Sequence, residues 1–245
     1  MRFIMLGISP GLPNLDTHLS ALYVQVGENH LLFDCGEGTY RQLLRHQLDQ
    51  NKLDAIYISH YHPDHLSGIF MVLQMLYLQN RSKPLHLFLP ERPAAVLEMI
   101  QLQYTFIQKF SFPLQIHDCK ECELYYPEVT PVVTDHLLGY AEIIKAGNLP
   151  NQMSSYGFMI TDTEGSLLYT SDIATTDCLS GILPHCHTVI IDALHPEARQ
   201  VLKLEYSGIK RILLTHGISD ELKQALAATP SEIFDFARED TVYTL

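Results

Sequence analysis

The chain places His60, His62, Asp64 and His65 within six residues, directly after the apolar run Ala55-Ile56-Tyr57-Ile58. Imidazoles and a carboxylate so close together are metal ligands in waiting. An extended segment sends side chains two apart to the same side, so His60 and His62 converge on one ion as the chain leaves a strand. Pro63 and Asp64 then open a helix, because proline is tolerated in the first turn and an acidic residue complements the helix dipole. The apolar positions Leu66, Ile69, Phe70, Leu73 and Leu76 carry that helix from Asp64 to Gln79. Asp64 and His65 accordingly face the other way, toward a second ion.

Two ions want about four to five ligands each, more than the cluster can supply. His136 follows the strand-like Val129 to Thr134, Asp172 follows Ser166 to Ser171, and His216 follows Arg211 to Thr215. Each stands at the carboxyl end of a short apolar run, where sheets with parallel strands gather their binding residues. Singly, His136 or His216 is equally a loop histidine and Asp172 a turn residue or helix cap. Together they complete a set.

These motifs resemble those of the metallo-β-lactamase-fold hydrolases, whose H-x-H-x-D-H signature is met by His60 through His65, with later ligand motifs matched at His136, Asp172 and His216. Within that superfamily, Phe33-Asp34-Cys35-Gly36-Glu37-Gly38-Thr39-Tyr40-Arg41-Gln42-Leu43 resembles a segment of ribonuclease Z and its relatives, and Leu6-Gly7-Ile8-Ser9-Pro10-Gly11-Leu12-Pro13 their glycine-rich opening. The resemblance implies one ion held by His60, His62 and His136, another by Asp64, His65 and His216, and Asp172 bridging both. Two zinc ions are the first expectation, with manganese or iron as alternatives, because selectivity follows geometry and supply as much as affinity. Such a pair lowers the pKa of a bound water from about 15.7 to around 7 and clamps the oxygens of an in-line displacement at phosphorus. Asp64 doubles, by the same resemblance, as the group that orients the water or accepts its proton.

Ribonuclease Z enzymes carry a further histidine and a glutamate between the last two ligand motifs, where this chain has Ile190-Ile191-Asp192-Ala193-Leu194-His195-Pro196-Glu197. His195 is the candidate proton donor for the leaving group; a loop histidine after a strand is the equal alternative. The family members that process transfer RNA insert a long arm ahead of the bridging aspartate. Here Tyr156 to Thr161 and Leu167 to Thr170 are joined by only Asp162-Thr163-Glu164-Gly165-Ser166, a hairpin-sized turn. Extra length lies earlier, from Leu137 to Ser155, as a lid over the ions or a solvated loop.

Charge bears on the substrate. Sixteen basic against twenty-eight acidic residues give a net charge of −12, whereas proteins that grip long nucleic acids neutralise several phosphates with Lys and Arg. A long nucleic acid is therefore disfavoured, and a small or cyclic phosphodiester is the expected substrate of a dinuclear phosphodiesterase. The alternatives are a ribonuclease Z-type RNA 3′-end endonuclease, a thioester or lactone hydrolase on the same site, and a metal-binding sensor or scaffold without chemistry. A homodimer is expected by analogy with relatives.

The elements that must position these residues read as an α/β chain. Strands are expected at Arg2 to Gly7, Ala21 to Gly27, His30 to Asp34 and Leu85 to Leu89, with helices at Thr39 to His46, Asp64 to Gln79 and Pro93 to Gln103. Further strands lie around Val129, Phe158, Leu167, Val189 and Ile212, and helices at Pro196 to Tyr206 and Asp220 to Ala227. Strands that bury both faces require a layered fold, and the resemblance makes it a four-layer αββα sandwich. No linker, repeat or charge block divides residues 1–245, so one domain is expected. The apolar start Phe3-Ile4-Met5-Leu6 is broken by Gly7, too short for a signal or membrane segment, so a cytoplasmic location without membrane contact is expected. Cys119-Lys120-Glu121-Cys122 has no second ligand pair nearby and reads as two ordinary thiols. Gly36-Glu37-Gly38-Thr39 reads as a glycine turn and helix cap, with phosphate binding through Glu37 or Thr39 the alternative.

Overall fold

The computed structural model describes residues 1–245, which form two compact units: Arg2–Tyr125 with Glu239–Thr244, and Tyr126–Arg238 with Met1 and Leu245. In the first, seven strands run β13-β1-β2-β3-β4-β5-β6, comprising β1 (Arg2–Gly7), β2 (Ala21–Val26), β3 (Asn29–Phe33), β4 (Ala55–Tyr57), β5 (Leu85–Leu89), β6 (Leu114–Asp118) and β13 (Val242–Thr244). β13, β1, β2 and β3 pair antiparallel, and β3 through β6 pair parallel. Side chains alternate across a strand, so Leu32, Ile56 and Leu87 turn to one face. There they pack with Leu43 of α1 (Thr39–Arg45), Val72 and Leu76 of α3 (Ile69–Leu78) and Ile100 of α4 (Pro93–Gln103). The residues in between, Phe33, Tyr57 and Phe88, stack as an aromatic ladder on the other face with successive ring centroids 4.7 Å apart. Both faces are used, which is why these parallel strands are nearly continuous apolar runs.

The second unit holds six strands in the order β12-β11-β10-β9-β8-β7. They are β7 (Val129–Val133), β8 (Tyr156–Thr161), β9 (Ser166–Tyr169), β10 (Thr188–Asp192), β11 (Arg211–Thr215) and β12 (Phe234–Phe236). β9 through β12 run parallel; β7 and β8 complete an antiparallel meander. Leu168, Val189, Ile191, Ile212 and Leu214 pack with Ala198 and Val201 of α6 (Ala198–Lys203) and Leu222 of α7 (Asp220–Ala228). Ser219 caps α7, its hydroxyl accepting the Leu222 amide at 3.3 Å, and Asp220 and Glu221 complement the dipole.

The helix expected from Asp64 to Gln79 is two helices, α2 (Pro63–Leu66) and α3, broken at Ser67 and Gly68. The cause is a backbone crossing. The Gly68 amide donates to the Cys35 carbonyl at 2.8 Å, and a Cβ on Gly68 would lie 2.0 Å from the Gly36 carbonyl oxygen. A Cβ on Gly36 would in turn lie 2.3 Å from the Asp64 carbonyl oxygen. Only glycine allows so close an approach, so the glycine turn after β3 is the support on which the Asp64 segment rests. Thr39 turns its hydroxyl back to the Gly36 carbonyl at 2.8 Å, consistent with a turn-closing role.

The short turn before Asp172 is as expected. Asp162 Oδ1 accepts the amides of Glu164 and Gly165 at 2.9 and 3.1 Å, closing the β8–β9 hairpin in place of an arm. Residues 137–146 form a helical turn and α5 (Ala141–Ala146), while 147–155 run without helix or strand to β8; Leu138, Ile143 and Leu149 are exposed. In the first unit, the buried Arg81 guanidinium donates to the carbonyls of Gln50, Asn51, Leu53, Lys83 and Pro84, fastening the approach to β4 to the approach to β5. Cys119 and Cys122 are buried reduced thiols; burial raises the Cys119 thiol well above its ordinary range and pushes Cys122 up to about 12, which suits inert packing. No helix is long and apolar enough to cross a membrane.

Candidate metal centre

In the first unit, ligand-type side chains gather at the carboxyl end of β4. Ile58 and Ser59 continue the strand's direction into His60, and His62 keeps an extended backbone (φ −68°, ψ 144°) before Pro63 starts α2. His60 and His62 lie side by side, with ring centroids 4.6 Å apart and ligand-type atoms within 4.8 Å. Asp64 and His65 form a second pair through the first turn of α2, His65 Nε2 lying 3.3 Å from Asp64 Oδ2. The rings of His60 and His65 are 4.2 Å apart.

Two residues absent from the sequence expectation hold these imidazoles in place. Fully buried Asp34, at the end of β3, accepts from His65 Nδ1 at 2.8 Å through Oδ2 and from the Ser59 amide at 2.8 Å through Oδ1. That contact assigns the His65 proton to Nδ1, so that Nε2 carries the lone pair. Ser59 Oγ lies 2.9 Å from His60 Nδ1 and holds that ring's orientation. The signal was on view, since Asp34 ends a strand beside the strand that leads to His60; what sequence cannot show is that β3 and β4 are adjacent and in register.

In the second unit, ligand-type side chains come together from three loops. Asp172 follows β9, His216 follows β11, and His136 begins the helical turn after β7. Asp172 Oδ2 lies 3.5 Å from His136 Nε2 and 3.2 Å from His216 Nε2, so one carboxylate serves two imidazoles. His195 is there too, its Nδ1 4.0 Å from the same oxygen and its ring 5.1 and 5.3 Å from those of His136 and His216. Buried Asp192 orients it: Oδ2 accepts from His195 Nδ1 at 2.8 Å and from the Ile173 amide at 3.2 Å, while Oδ1 accepts the Leu194 and His195 amides at 2.9 and 3.2 Å. Asp172, Asp192 and His195 form a compact ligand-type group of their own. Asp135 braces the neighbouring loops by accepting the Ala174 amide at 2.8 Å and the Thr175 hydroxyl at 2.6 Å. Burial would raise its pKa, but the Thr175 and Ala174 hydrogen bonds prevail and hold the carboxyl below the usual range.

Backbone strain marks the same places. Asp34, Ser171 and His216 have φ of 58°, 50° and 59°, in the left-handed region that side chains other than glycine seldom adopt. Strain at ligand-bearing positions persists only where the surroundings over-determine it, at about 1–3 kcal/mol for a sparsely populated conformation. The donor set is entirely imidazole and carboxylate, which suits a borderline dication such as zinc or manganese and would not select a thiophilic ion.

Comparison with known proteins gives three findings. The family model described as anti-Pycsar protein Apyc1 matches residues 1–243. Ribonuclease Z of Myxococcus xanthus is 32% identical over 174 residues, 71% of this chain and 52% of that protein, so the chain spans about half the length of this curated relative. Among solved structures, human tRNase Z, short form, superposes with a TM-score of 0.73 at 19% identity, covering 100% of this chain and 99% of the other. The metallo-β-lactamase fold protein YhfI of Bacillus subtilis superposes at 0.72 with 20% identity, covering 99% and 98%. At these identities the superpositions speak for fold, and they establish the metallo-β-lactamase fold expected from the signature.

Proposed function

Because the chain belongs to the anti-Pycsar protein Apyc1 family, we propose that it is a metal-dependent hydrolase that cleaves a small or cyclic phosphodiester. The observation that carries this reading is the convergence of His136, His195 and His216 on the single carboxylate of Asp172, an arrangement that folding alone does not require. In this reading His60, His62 and His136 hold one ion, Asp64, His65 and His216 another, and Asp172 serves both. Zinc is the first candidate, ahead of manganese and iron. When bound, the ions would supply positive charge that acidifies a water and balances the phosphoryl oxygens.

The chain's own residues do the rest. Asp64 orients the attacking water and takes its proton. His195 delivers a proton to the departing oxygen from Nε2, because Asp192 engages Nδ1 and stabilises the charged ring. Asp34 and Ser59 keep the His65 and His60 rings turned for ligation. A small substrate is supported by the tight Asp162 to Gly165 turn and by the net charge of −12. The long form of the reading is a cytoplasmic homodimer.

The Myxococcus relative supports a second reading, an RNA 3′-end endonuclease. Thioester or lactone hydrolysis on the same residues and metal binding without chemistry are distinguished by the same assay. Metal analysis of the purified protein is followed by bis(p-nitrophenyl) phosphate, cyclic nucleotides, a precursor RNA and acyl esters. Turnover of the first two, abolished in His62→Ala, is expected. Cleavage of RNA or acyl substrates alone, or none at all in metal-replete protein, overturns the reading.

A further inference from the structure

A pair of histidines outside the candidate centre has the geometry of a ligand set. His86 of β5 and His117 of β6 lie on the same face of neighbouring parallel strands, in a register that sets Phe88 against His117. His86 Nδ1 and His117 Nε2 are 3.1 Å apart. Two imidazole nitrogens each about 2.0–2.1 Å from one ion lie about 2.9 Å apart at a right angle and about 3.3 Å apart at the tetrahedral angle. The observed separation falls between these limits. From this spacing we propose that His86 and His117 bind a third, borderline transition-metal dication such as zinc, nickel or copper, with water completing its coordination.

The rings are held ready. They are nearly parallel, 17° between planes at 5.2 Å, and Tyr125 lies against both at 4.3 and 5.2 Å. Phe88 stacks beneath His117 at 5.0 Å. Little rotamer freedom remains to be lost on binding, which favours a two-ligand site. Both side chains are half-buried, so solvent reaches them and water can fill the remaining positions. Burial also lowers both pKa values, keeping the imidazoles neutral near pH 7.

Ligation requires Nδ1 of His86 and Nε2 of His117 to be unprotonated together. The proton shared between them in the unliganded pair moves to the other nitrogen of its own ring, so two neutral imidazoles take up the ion without releasing a proton. The pair offers imidazole nitrogen and no oxygen ligand, which places nickel, copper and zinc ahead of calcium or magnesium.

The test is anomalous diffraction at the nickel edge from crystals of the zinc-loaded protein soaked in nickel, paired with equilibrium dialysis of zinc. A peak between His86 Nδ1 and His117 Nε2 is expected, and one more bound ion in the wild type than in His86→Gln or His117→Gln. Retention on a nickel-charged column should fall at least about tenfold in either variant, as expected when one imidazole ligand is lost. Phosphodiester turnover should be unchanged, because neither residue belongs to the candidate centre. Absence of the peak in wild-type crystals overturns the proposal whether or not the variants fold. Equal ion counts in wild type and folded variants do so as well.

Discussion

The two units supply candidate ligands in opposite ways. In the first, His60, His62, Asp64 and His65 follow one another along a single strand-to-helix passage, and their spacing is set by local backbone geometry. In the second, His136, Asp172 and His216 come from the ends of three strands, and only the packing of β7, β9 and β11 in one sheet brings them to a common carboxylate. A contiguous cluster is fixed by a few dihedral angles. A dispersed one depends on every strand between its members being in register, and it carries strained positions at Ser171 and His216 to aim its side chains. The first should therefore depend on the few groups that brace its passage, Asp34 and Gly36 among them, whereas the second should be sensitive to changes throughout its sheet.

Asp172→Ala gives the largest expected effect. It removes the one group that serves both proposed ions, so metal content and phosphodiester turnover should both fall to background. In His62→Ala one ion should persist by elemental analysis. Retention of both ions in Asp172→Ala would contradict the bridging role.

The orienting carboxylates sharpen the contrast. Asp34→Asn breaks the contact that sets the His65 tautomer and should weaken metal affinity by about 10–100-fold, the usual cost of losing such a partner. Asp192→Asn disturbs His195, a proposed proton donor and not a ligand. It should lower kcat by about 10–100-fold, in the range of a general-acid contribution, while metal content stays near normal. A chelator competition series and steady-state kinetics separate the two outcomes; identical profiles would show that both carboxylates act in the same way.

Stability should show a smaller asymmetry. Gly68→Ala forces a Cβ into the Gly36 carbonyl and is expected to cost about 1–3 kcal/mol or more, the penalty of overpacking a tight contact. Gly139→Ala, in the second unit, meets nothing within 4 Å and should leave the urea midpoint nearly unchanged. The smallest effect concerns pH. Burial depresses the pKa of His86 and His117, and for His86 the charge of His117 adds to it. Their folded forms bind protons less readily than the unfolded chain, so stability falls as pH drops below the unfolded value of about 6.5. His86→Gln combined with His117→Gln should flatten that part of a Tm-against-pH curve.

The sequence made the first cluster readable because its chemistry and its geometry share one stretch of chain. His136, Asp172 and His216 were readable because each ends an apolar run, a weak sign that gained force from repetition and from the resemblance to the metallo-β-lactamase-fold hydrolases. Asp34 and Asp192 were not assigned roles. A carboxylate after a strand has many uses, and the hydrogen bond that defines its role spans 31 residues for Asp34 and His65. Strand β6 has an irregular burial pattern, and β12 and β13 are three residues each, too short for a periodicity to register. The break between α2 and α3 was hidden because the apolar spacing continues through it; its cause is the approach of a distant glycine.

The apolar cores of the two units draw on Leu, Ile and Val side chains, none of which is a candidate ligand. Cohesion of the chain thus rests on apolar packing, to which bound ions would add without creating it, unlike in small domains that unfold when stripped of zinc. Exposure to a chelator should silence the protein yet leave a cooperative melting transition, and returning the metal should revive it without refolding. On the proposed reading, such a chain would be made and stored without ions and switched on by their supply.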